Sequence, residues 1–279
     1  MAIPRRPFGR TGVDVPVLGL GTWQLRDKER AGEALRVGLD LGLTHVDTAE
    51  LYTGSEAAIA PVLRGRRDEV FLVSKVLPQN ASYDGTLRAC DASLRRLGTD
   101  HLDAYLLHWR GRSKIDDTMR ALETLVDGGK TRFLGVSNFD VEDLEDARKA
   151  LPNHAVVCDQ VLYHLGDRGV EHGLLPWCKK HGVAVVAYSP FGSTGGFPAP
   201  GSRKRQVLDD IGKRHGKTAR QVTLNFLTRH PSVFAIPKSE NPDHVREIAG
   251  SVGWELSEKD LEAIDAAFPA GKPRALGLL

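Results

Sequence analysis

Cysteine is scarce in this sequence, and long apolar runs are missing from it. The three cysteines, Cys90, Cys158 and Cys178, are odd in number and include no CxxC pair, which argues against a disulfide framework and a cysteine-based zinc site. No run approaches the ~18 apolar residues that a transmembrane helix needs, and none follows the N-terminal arginines as it would in a signal peptide. We therefore expect a cytoplasmic protein with no membrane partner.

An excess of one charge is also lacking, because 38 basic side chains face 36 acidic ones and the net charge is +2. A general nucleic-acid binder shows a basic patch or stripe, so we expect no nucleic-acid partner. The other fractions, 41% hydrophobic, 27% charged and 6% aromatic, are those of an ordinary globular protein. Since no long exposed apolar stripe is evident, we predict a monomer.

Several common catalytic motifs are missing as well. The segment GLGTWQ (19–24) begins like a dinucleotide-binding fingerprint, but Gln24 stands where the third glycine is needed. The sequence contains no GxxxxGKS/T, HExxH or GxSxG motif. These absences argue against a phosphate-loop NTPase, a zincin-type metalloprotease and an α/β-hydrolase, and we expect no bound metal.

The chain does contain a regular alternation of short apolar runs with longer stretches of helical periodicity. In one helical stretch, Leu87, Cys90, Leu94 and Leu97 recur at the spacing of a single helix face. The apolar runs begin at Leu18, His45, Val70, Leu102, Phe133, Val156, Val183 and Val233. Eight such units predict an α/β fold of the (β/α)8 TIM-barrel class, with a typical length of ~250 residues. Alternation alone leaves a doubly wound open sheet as the alternative.

We predict one barrel domain that spans residues 1–279. Residues 1–17 would form an N-terminal β-hairpin that plugs one barrel end, and residues 191–203 an inserted loop. The long interval before the last run has room for an extra helical segment. Residues 256–279 would form a C-terminal helix, capped by Ser257, and a short tail.

Polar residues end several of the apolar runs, and in a parallel barrel these ends meet at one mouth. Asp47, Lys75 and His108 end the second, third and fourth runs, and Tyr52 lies just beyond Asp47. Further polar side chains at such ends are Ser137, Asn138, Gln160 and Tyr188. A single residue of this kind is most often a cap, a surface charge or a satisfied core group. Together they form a candidate active site.

Aspartate, tyrosine, lysine and histidine have a joint chemical use. A phenol with an unperturbed pKa near ~10 donates a proton poorly at neutral pH, and a nearby ammonium group lowers that pKa. A carboxylate keeps the ammonium charged and in place, while a histidine can donate a hydrogen bond to a substrate carbonyl oxygen. Such a set can protonate the oxygen as a hydride arrives at the carbonyl carbon.

The segments that carry these residues resemble the aldo-keto reductase superfamily, in order and over nearly the whole chain. They are LGLGTWQ (18–24), HVDTAELY (45–52), VFLVSK (70–75), LDAYLLHW (102–109), GVSNF (135–139), DQVLYH (159–164), AYSPFG (187–192) and IPKS (236–239). The resemblance implies a (β/α)8 barrel that binds NADPH without a Rossmann domain and reduces aldehydes and ketones to alcohols.

The resemblance also implies roles for individual residues. Tyr52 would be the general acid, Asp47 and Lys75 would set its pKa, and His108 would orient the substrate. The implied substrate-binding residues are Trp23, Tyr52, His108 and Trp109. The implied cofactor-binding residues are Gly21, Thr22, Asp47, Ser137, Asn138, Gln160, Tyr188, Ser189, Pro190, Ile236, Lys238, Ser239, His244 and Glu247.

Within that cofactor set, the family pattern assigns separate tasks to three groups. Ser137, Asn138 and Gln160 would contact the nicotinamide carboxamide, and Tyr188 would stack on the nicotinamide ring. Lys238 and Ser239 would bind the 2′-phosphate of the adenosine.

The sequence departs from the family pattern near the adenosine. Family members commonly carry arginine six residues after the lysine and a Glu-Asn pair beyond it, whereas this chain has His244, Glu247 and Ile248. A neutral histidine lacks arginine's bidentate grip on phosphate, so we expect NADH as a weaker alternative cofactor. The loop after Tyr52 and the tail after Phe268 are short, which indicates an open pocket for small dicarbonyls such as methylglyoxal, for aromatic aldehydes, and for keto acids or esters.

Two other functions remain as alternatives. Lys75 could form a Schiff base, as in an aldolase, but Asp47 would keep it charged, and Tyr52 and Lys238 would have no role. The second alternative is a barrel that binds NADPH as a regulatory or sensing protein without significant turnover. Oxidation of NADPH by a reactive aldehyde would mark only the reductase.

Overall fold

The computed structural model describes residues 2–192, 196–272 and 275–277. Outside the described residues lie parts of three predicted segments, namely residue 1 of the N-terminal hairpin segment, 193–195 of the inserted loop, and 273–274 and 278–279 of the tail. The division of the chain into one barrel domain with these segments stays a prediction.

The chain begins with the predicted β-hairpin. Strands β1 (Arg5–Pro7) and β2 (Asp14–Pro16) pair antiparallel, and the turn between them is closed by Thr11 N, which donates to Phe8 O at 3.3 Å. Phe8 is completely buried, and its ring lies 4.8 Å from that of Phe71 and 5.0 Å from that of Phe234. An aromatic side chain of the hairpin therefore fills the end of the barrel at which these strands begin.

Eight further strands run parallel to one another and form one sheet in sequence order. They are β3 (Leu20–Gly21), β4 (His45–Asp47), β5 (Phe71–Val76), β6 (Leu102–Leu107), β7 (Thr131–Ser137), β8 (Val156–Leu162), β9 (Ala184–Tyr188) and β10 (Val233–Ala235). The first and last are joined as well, because Gly19 N donates to Ala235 O at 2.8 Å and Leu18 bridges Ala235 in parallel. The sheet is therefore a closed barrel, and the open-sheet alternative is wrong.

Helices follow the strands on the outside of the barrel. They are α1 (Lys28–Asp40), α2 (Ser55–Leu63), α3 (Tyr83–Leu97), α4 (Ile115–Asp127), α5 (Val141–Lys149), α6 (Leu174–His181), α7 (Arg203–His215), α8 (Ala219–Leu227), α9 (Pro242–Ala249) and α10 (Glu258–Ala267). Short 3-10 turns occur at Arg67–Glu69, Pro78–Asn80 and Gly169–Glu171. Two helices, α7 and α8, occupy the long interval before β10, where the sequence predicts an extra helical segment. Helix α10 begins with a capping box between Ser257 and Asp260, as predicted.

Both faces of the barrel strands are buried, which explains why their sequences are apolar throughout. Every residue of β5, β6 and β8 is buried, and alternate side chains face the barrel interior and the helix layer. The helices pack against the outward-facing strand side chains with their own apolar residues, for example Cys90, Leu94 and Leu97 of α3. Among the described residues, no helix is both long and apolar enough to cross a membrane.

Candidate active site

A buried ion pair lies at the mouth formed by the carboxyl ends of the strands. Asp47 ends β4 and Lys75 lies near the end of the neighbouring β5, so their side chains meet above the barrel interior. Lys75 Nζ donates to Asp47 Oδ1 at 2.7 Å and to Thr48 O at 2.9 Å, and both side chains are almost fully buried. Burial disfavours the ammonium form, but Asp47 and Tyr52 outweigh it and raise the pKa of Lys75. The lysine therefore stays a cation at neutral pH.

Tyr52 lies in the loop between β4 and α2, with its hydroxyl over this pair. Lys75 Nζ lies 3.5 Å from Tyr52 Oη and 5.0 Å from the ring centroid. Burial raises the pKa of the Tyr52 phenol, and the charge of Lys75 only partly offsets that effect. Lys75 lowers this pKa as expected, but the net shift is upward because removal from water outweighs the attraction of one ammonium group. The phenol keeps its proton at neutral pH.

His108 directly follows β6 and stands beside Tyr52. Its backbone N donates to Val76 O at 3.0 Å, and the two rings meet edge to face with centroids 5.8 Å apart. Burial, reinforced by the charge of Lys75, lowers the pKa of His108 to about 3. The imidazole is therefore neutral at physiological pH, and it can donate one hydrogen bond without adding charge.

Amide side chains form the opposite wall of the mouth. Gln160 Nε2 donates to Asp47 Oδ2 at 2.7 Å, which leaves the amide oxygen of Gln160 as an acceptor. Asn138 Nδ2 donates to His108 O at 3.0 Å, and Asn138 Oδ1 accepts from Tyr188 Oη at 2.8 Å. Ser137 Oγ donates to Gln160 O at 2.7 Å. The amides are thus held in place by the strands and by the catalytic candidates themselves.

Backbone strain is concentrated at this mouth. In the described part of the chain, three non-glycine residues have positive φ: Gln24 at 53°, Asn138 at 61° and Ser189 at 47°. Each lies just beyond the end of a barrel strand, and Asn138 and Ser189 line the mouth. Left-handed backbone is unfavourable for such residues and tends to persist at functional sites.

A cavity of about 350 Å³ opens between these groups. Its lining comprises Gly21, Thr22, Trp23, Asp47, Leu51, Tyr52, His108, Trp109, Asn138, Gln160, Tyr188, Ser189, Pro190, Phe191, Gly192, Ile236, Pro237 and Lys238. The four residues predicted to bind substrate all line it. Lys75 and Ser137, which are also predicted site residues, are buried behind the lining.

The remaining predicted cofactor residues lie around a second, smaller cavity of about 160 Å³. It is lined by Phe191, Arg220, Leu224, Lys238, Ser239, His244, Glu247, Ile248 and Ser251. Lys238 and Phe191 line both cavities, so one elongated groove runs from Tyr52 to His244 past these two side chains. The structure thus brings all the predicted site residues to one groove or directly behind its wall.

Comparison with known protein families matches residues 17–268 to the Aldo/keto reductase family. The chain belongs to this family. As an aldo/keto reductase it is an NAD(P)H-dependent oxidoreductase.

Relatives of this aldo/keto reductase include two reductases that are named for small dicarbonyl substrates. It is 43% identical to the methylglyoxal reductase YeaE of Escherichia coli, over 93% of each chain. It is 35% identical to a glyoxal reductase of Bacillus subtilis, over 91% of this chain and 90% of the relative. A similar solved structure is an aldo/keto reductase of Klebsiella pneumoniae in complex with NADP and acetate, with 40% identity, full coverage of both chains and a TM-score of 0.91.

Several residues that line the groove are not among the predicted site residues, including Leu51, Phe191 and Arg220. Leu51 and Trp23 are the exposed large hydrophobic residues of the described chain, at 42% and 43%, and both line the larger cavity. Leu51 directly precedes Tyr52 in the sequence, so its place in the lining could have been predicted from that of Tyr52. Phe191 and Arg220 line the smaller cavity, and an arginine on an exposed helix surface gave no signal at all.

Proposed function

We propose that this protein reduces small reactive aldehydes and dicarbonyls with NADPH, and that Tyr52 is the general acid. The observation that carries the proposal is the position of Tyr52 in the lining of the larger cavity, with its Oη 3.5 Å from the Nζ of the buried Lys75. A phenol in this setting has a proton to give and a cation beside it to stabilise the phenolate that remains.

The four polar residues divide the reaction between them. His108 and Tyr52 hold the substrate oxygen by hydrogen bonds from the imidazole and the phenol. As negative charge develops on that oxygen, Tyr52 Oη transfers its proton to it, and Lys75 Nζ stabilises the phenolate. Asp47 Oδ1 holds Lys75 in place and keeps it charged, since an unpaired ammonium would be costly at this depth.

The groove has the chemistry that NADPH requires. The amides of Asn138 and Gln160 match a carboxamide, and the ring of Tyr188 offers a stacking surface beside them. Beyond Lys238 the groove continues into the smaller cavity, which offers cations for a phosphate. When bound, NADPH supplies the hydride for the carbonyl carbon. The chain's own residues orient the two reactants and supply the proton.

The substrate end of the groove is aromatic and uncharged. Trp23, Leu51 and Trp109 surround Tyr52 and His108, and the charged residues among the described lining are the paired Asp47 and the distant Lys238. Such a surface suits neutral carbonyl compounds better than carboxylates, because the ammonium group behind it, Lys75 Nζ, is already paired with Asp47. The names of the two relatives, a methylglyoxal reductase and a glyoxal reductase, point to the same substrates.

Turnover of the purified protein tests the proposal directly. We expect methylglyoxal and neutral aromatic aldehydes to oxidise NADPH, measured as the loss of its near-ultraviolet absorbance, with keto acids much slower. Tight NADPH binding without oxidation by any carbonyl compound would instead support the regulatory or sensing alternative. Covalent labelling after borohydride treatment with a carbonyl substrate would support the aldolase alternative.

The monomeric state and the cytoplasmic location are part of the proposal as well.

A further inference from the structure

The smaller cavity raises a question of charge. Lys238 is the cation that the family pattern assigns to the 2′-phosphate, yet its Nζ already donates to Glu240 Oε1 at 2.8 Å and to Gln24 O at 3.1 Å. Glu240 is in turn held by the backbone N–H of Arg26, at 2.7 Å. The positive charge of Lys238 is therefore balanced by a carboxylate before any phosphate arrives.

Another carboxylate, that of Glu247, belongs to the lining of the smaller cavity itself. Glu247 Oε1 accepts from Thr218 Oγ1 at 2.6 Å, so its position is fixed. With Lys238 balanced by Glu240, the charge of Glu247 would leave the cavity net negative if no other cation lined it. A phosphate dianion needs the opposite field.

Arg220 is the cation that changes this balance. It is the second residue of α8 and is exposed, and it lines the cavity together with Lys238, Ser239 and His244. Its guanidinium carbon lies 5.3 Å from the ring centroid of Phe191 and 5.0 Å from that of Phe197. Within the described residues, no carboxylate lies within ion-pair distance of Arg220, so its guanidinium N–H groups are not paired with an anion.

We propose that Arg220 binds the 2′-phosphate of NADPH and is the residue that makes this enzyme prefer NADPH to NADH. The proposal rests on the proposed function, since it assumes that the adenosine end of the cofactor occupies the smaller cavity. Position 244, where family members commonly have arginine, holds a histidine, and Arg220 reaches the same cavity from a different helix. A planar guanidinium pairs bidentately with phosphate, which a lysine ammonium does not.

The experiment compares Arg220→Gln with Arg246→Gln, and it measures cofactor binding rather than turnover. Arg246 is a matched control because it is an exposed arginine on the adjacent α9 that lines neither cavity. Quenching of tryptophan fluorescence gives Kd for NADPH and for NADH, since Trp23 and Trp109 line the larger cavity. Circular dichroism checks that each variant is folded.

We expect Arg220→Gln to raise Kd for NADPH by about 10- to 100-fold, as for the loss of one charged hydrogen-bonding partner. Kd for NADH should change by less than about twofold, because NADH has a hydroxyl where NADPH has the phosphate. Arg246→Gln should leave both values unchanged. Added salt should weaken NADPH binding more in the wild type than in Arg220→Gln, because a phosphate contact has been removed.

Other outcomes would overturn the proposal. Equal losses for NADPH and NADH would mean that Arg220 stacks on the adenine or braces the loop of Phe191, which the two cofactors share. Unchanged NADPH binding would remove Arg220 from the site. Both results concern Kd alone. A failure of the proposed function would show differently, as a wild-type protein that binds NADPH but reduces no carbonyl compound.

Discussion

Strand β4 buries one titratable side chain at each of its two ends, and the surroundings of these two side chains differ. His45 and Asp47 are two residues apart, so both face the barrel interior, and both are almost completely buried. At the closed end, neither ring nitrogen of His45 has a hydrogen-bond partner within the described ranges. The rings of Phe8 and Phe71 each lie 5.7 Å away. At the open end, Asp47 is bound by Lys75 and Gln160.

This difference shows how the barrel separates stability from chemistry. At the closed end, burial lowers the pKa of His45 to about 3, so the ring is neutral and packs as an aromatic group. At the open end, charged groups persist because each one has a partner, and an unpaired charge there would be costly. A general acid and its supporting cation can exist only at the second kind of site. Substitutions at the two ends should therefore have different consequences.

The largest effect should come from Tyr52→Phe at the open end. The phenol supplies the proton only as charge develops on the substrate oxygen, so kcat should fall by about 10²–10⁴-fold while Kd for NADPH stays unchanged. His45→Gln at the closed end is the matched control and should keep kcat near the wild-type value. If Tyr52→Phe kept its activity while His108→Ala lost it, the acid would have been assigned to the wrong residue.

Lys75→Met should affect both stability and the pH profile. Removing the cation leaves the carboxylate of Asp47 buried and unpaired, so the free energy of unfolding should fall by about 3–5 kcal/mol. The pKa of Tyr52 should rise further, because the charge of Lys75 is one of the groups that lower it. Urea unfolding and a pH–rate profile measure these two effects.

The double variant Lys75→Met with Asp47→Asn serves as the control for that experiment. Removing both charges leaves no unpaired carboxylate, so stability should recover in part while activity does not. A pH–rate profile that is the same for Lys75→Met and the wild type would show that Lys75 does not act on the acid.

Much of this arrangement could be predicted from the sequence. Apolar runs at regular intervals indicate buried parallel strands, and closure of the barrel then places Asp47, Lys75 and His108 at a single mouth. The net rise in the pKa of Tyr52 could not be predicted, because burial is a property of the folded protein and it outweighs the charge of one lysine. The sequence shows which residues are neighbours along the chain, but it does not show how far folding removes each of them from water.

The adenosine end of the groove was less predictable for another reason. Lys238 could be placed from the IPKS segment, but its pairing with Glu240 depends on how the loop after β10 meets the backbone near Arg26. Arg220 lies on a helix whose sequence is typical of an exposed surface. Contacts between side chains from distant helices and loops leave no periodic pattern, so they emerge only from the structure.

A smaller effect is expected at the closed end, on stability at low pH. The pKa of His45 is 6.5 in the unfolded reference and about 3 in the folded protein, so below pH 6.5 the unfolded chain takes up a proton that the folded one does not. His45 therefore destabilises the fold as pH falls from 6.5 towards 3, by about 2 kcal/mol at pH 5.

Urea unfolding of the wild type and His45→Leu at pH 8 and pH 5 measures this effect. Leucine does not titrate, so the variant should lose about 2 kcal/mol less than the wild type between the two pH values. His108, whose pKa is also lowered to about 3, contributes equally to both proteins and cancels. An identical pH dependence in the two proteins would mean that water or a counter-charge reaches His45.

The smallest effect compares two lysine–carboxylate pairs, one buried and one exposed. Lys75–Asp47 is buried, whereas the side chain of Lys238 is 34% exposed in its pair with Glu240. An exposed pair contributes about 0–1 kcal/mol, so a phosphate can displace the carboxylate at little cost. Glu240→Gln should therefore tighten NADPH binding by only about two- to fivefold and leave NADH unchanged, measured as Kd. A much larger gain would show that Glu240 blocks the phosphate, and weaker NADPH binding would show that Glu240 positions Lys238 for it.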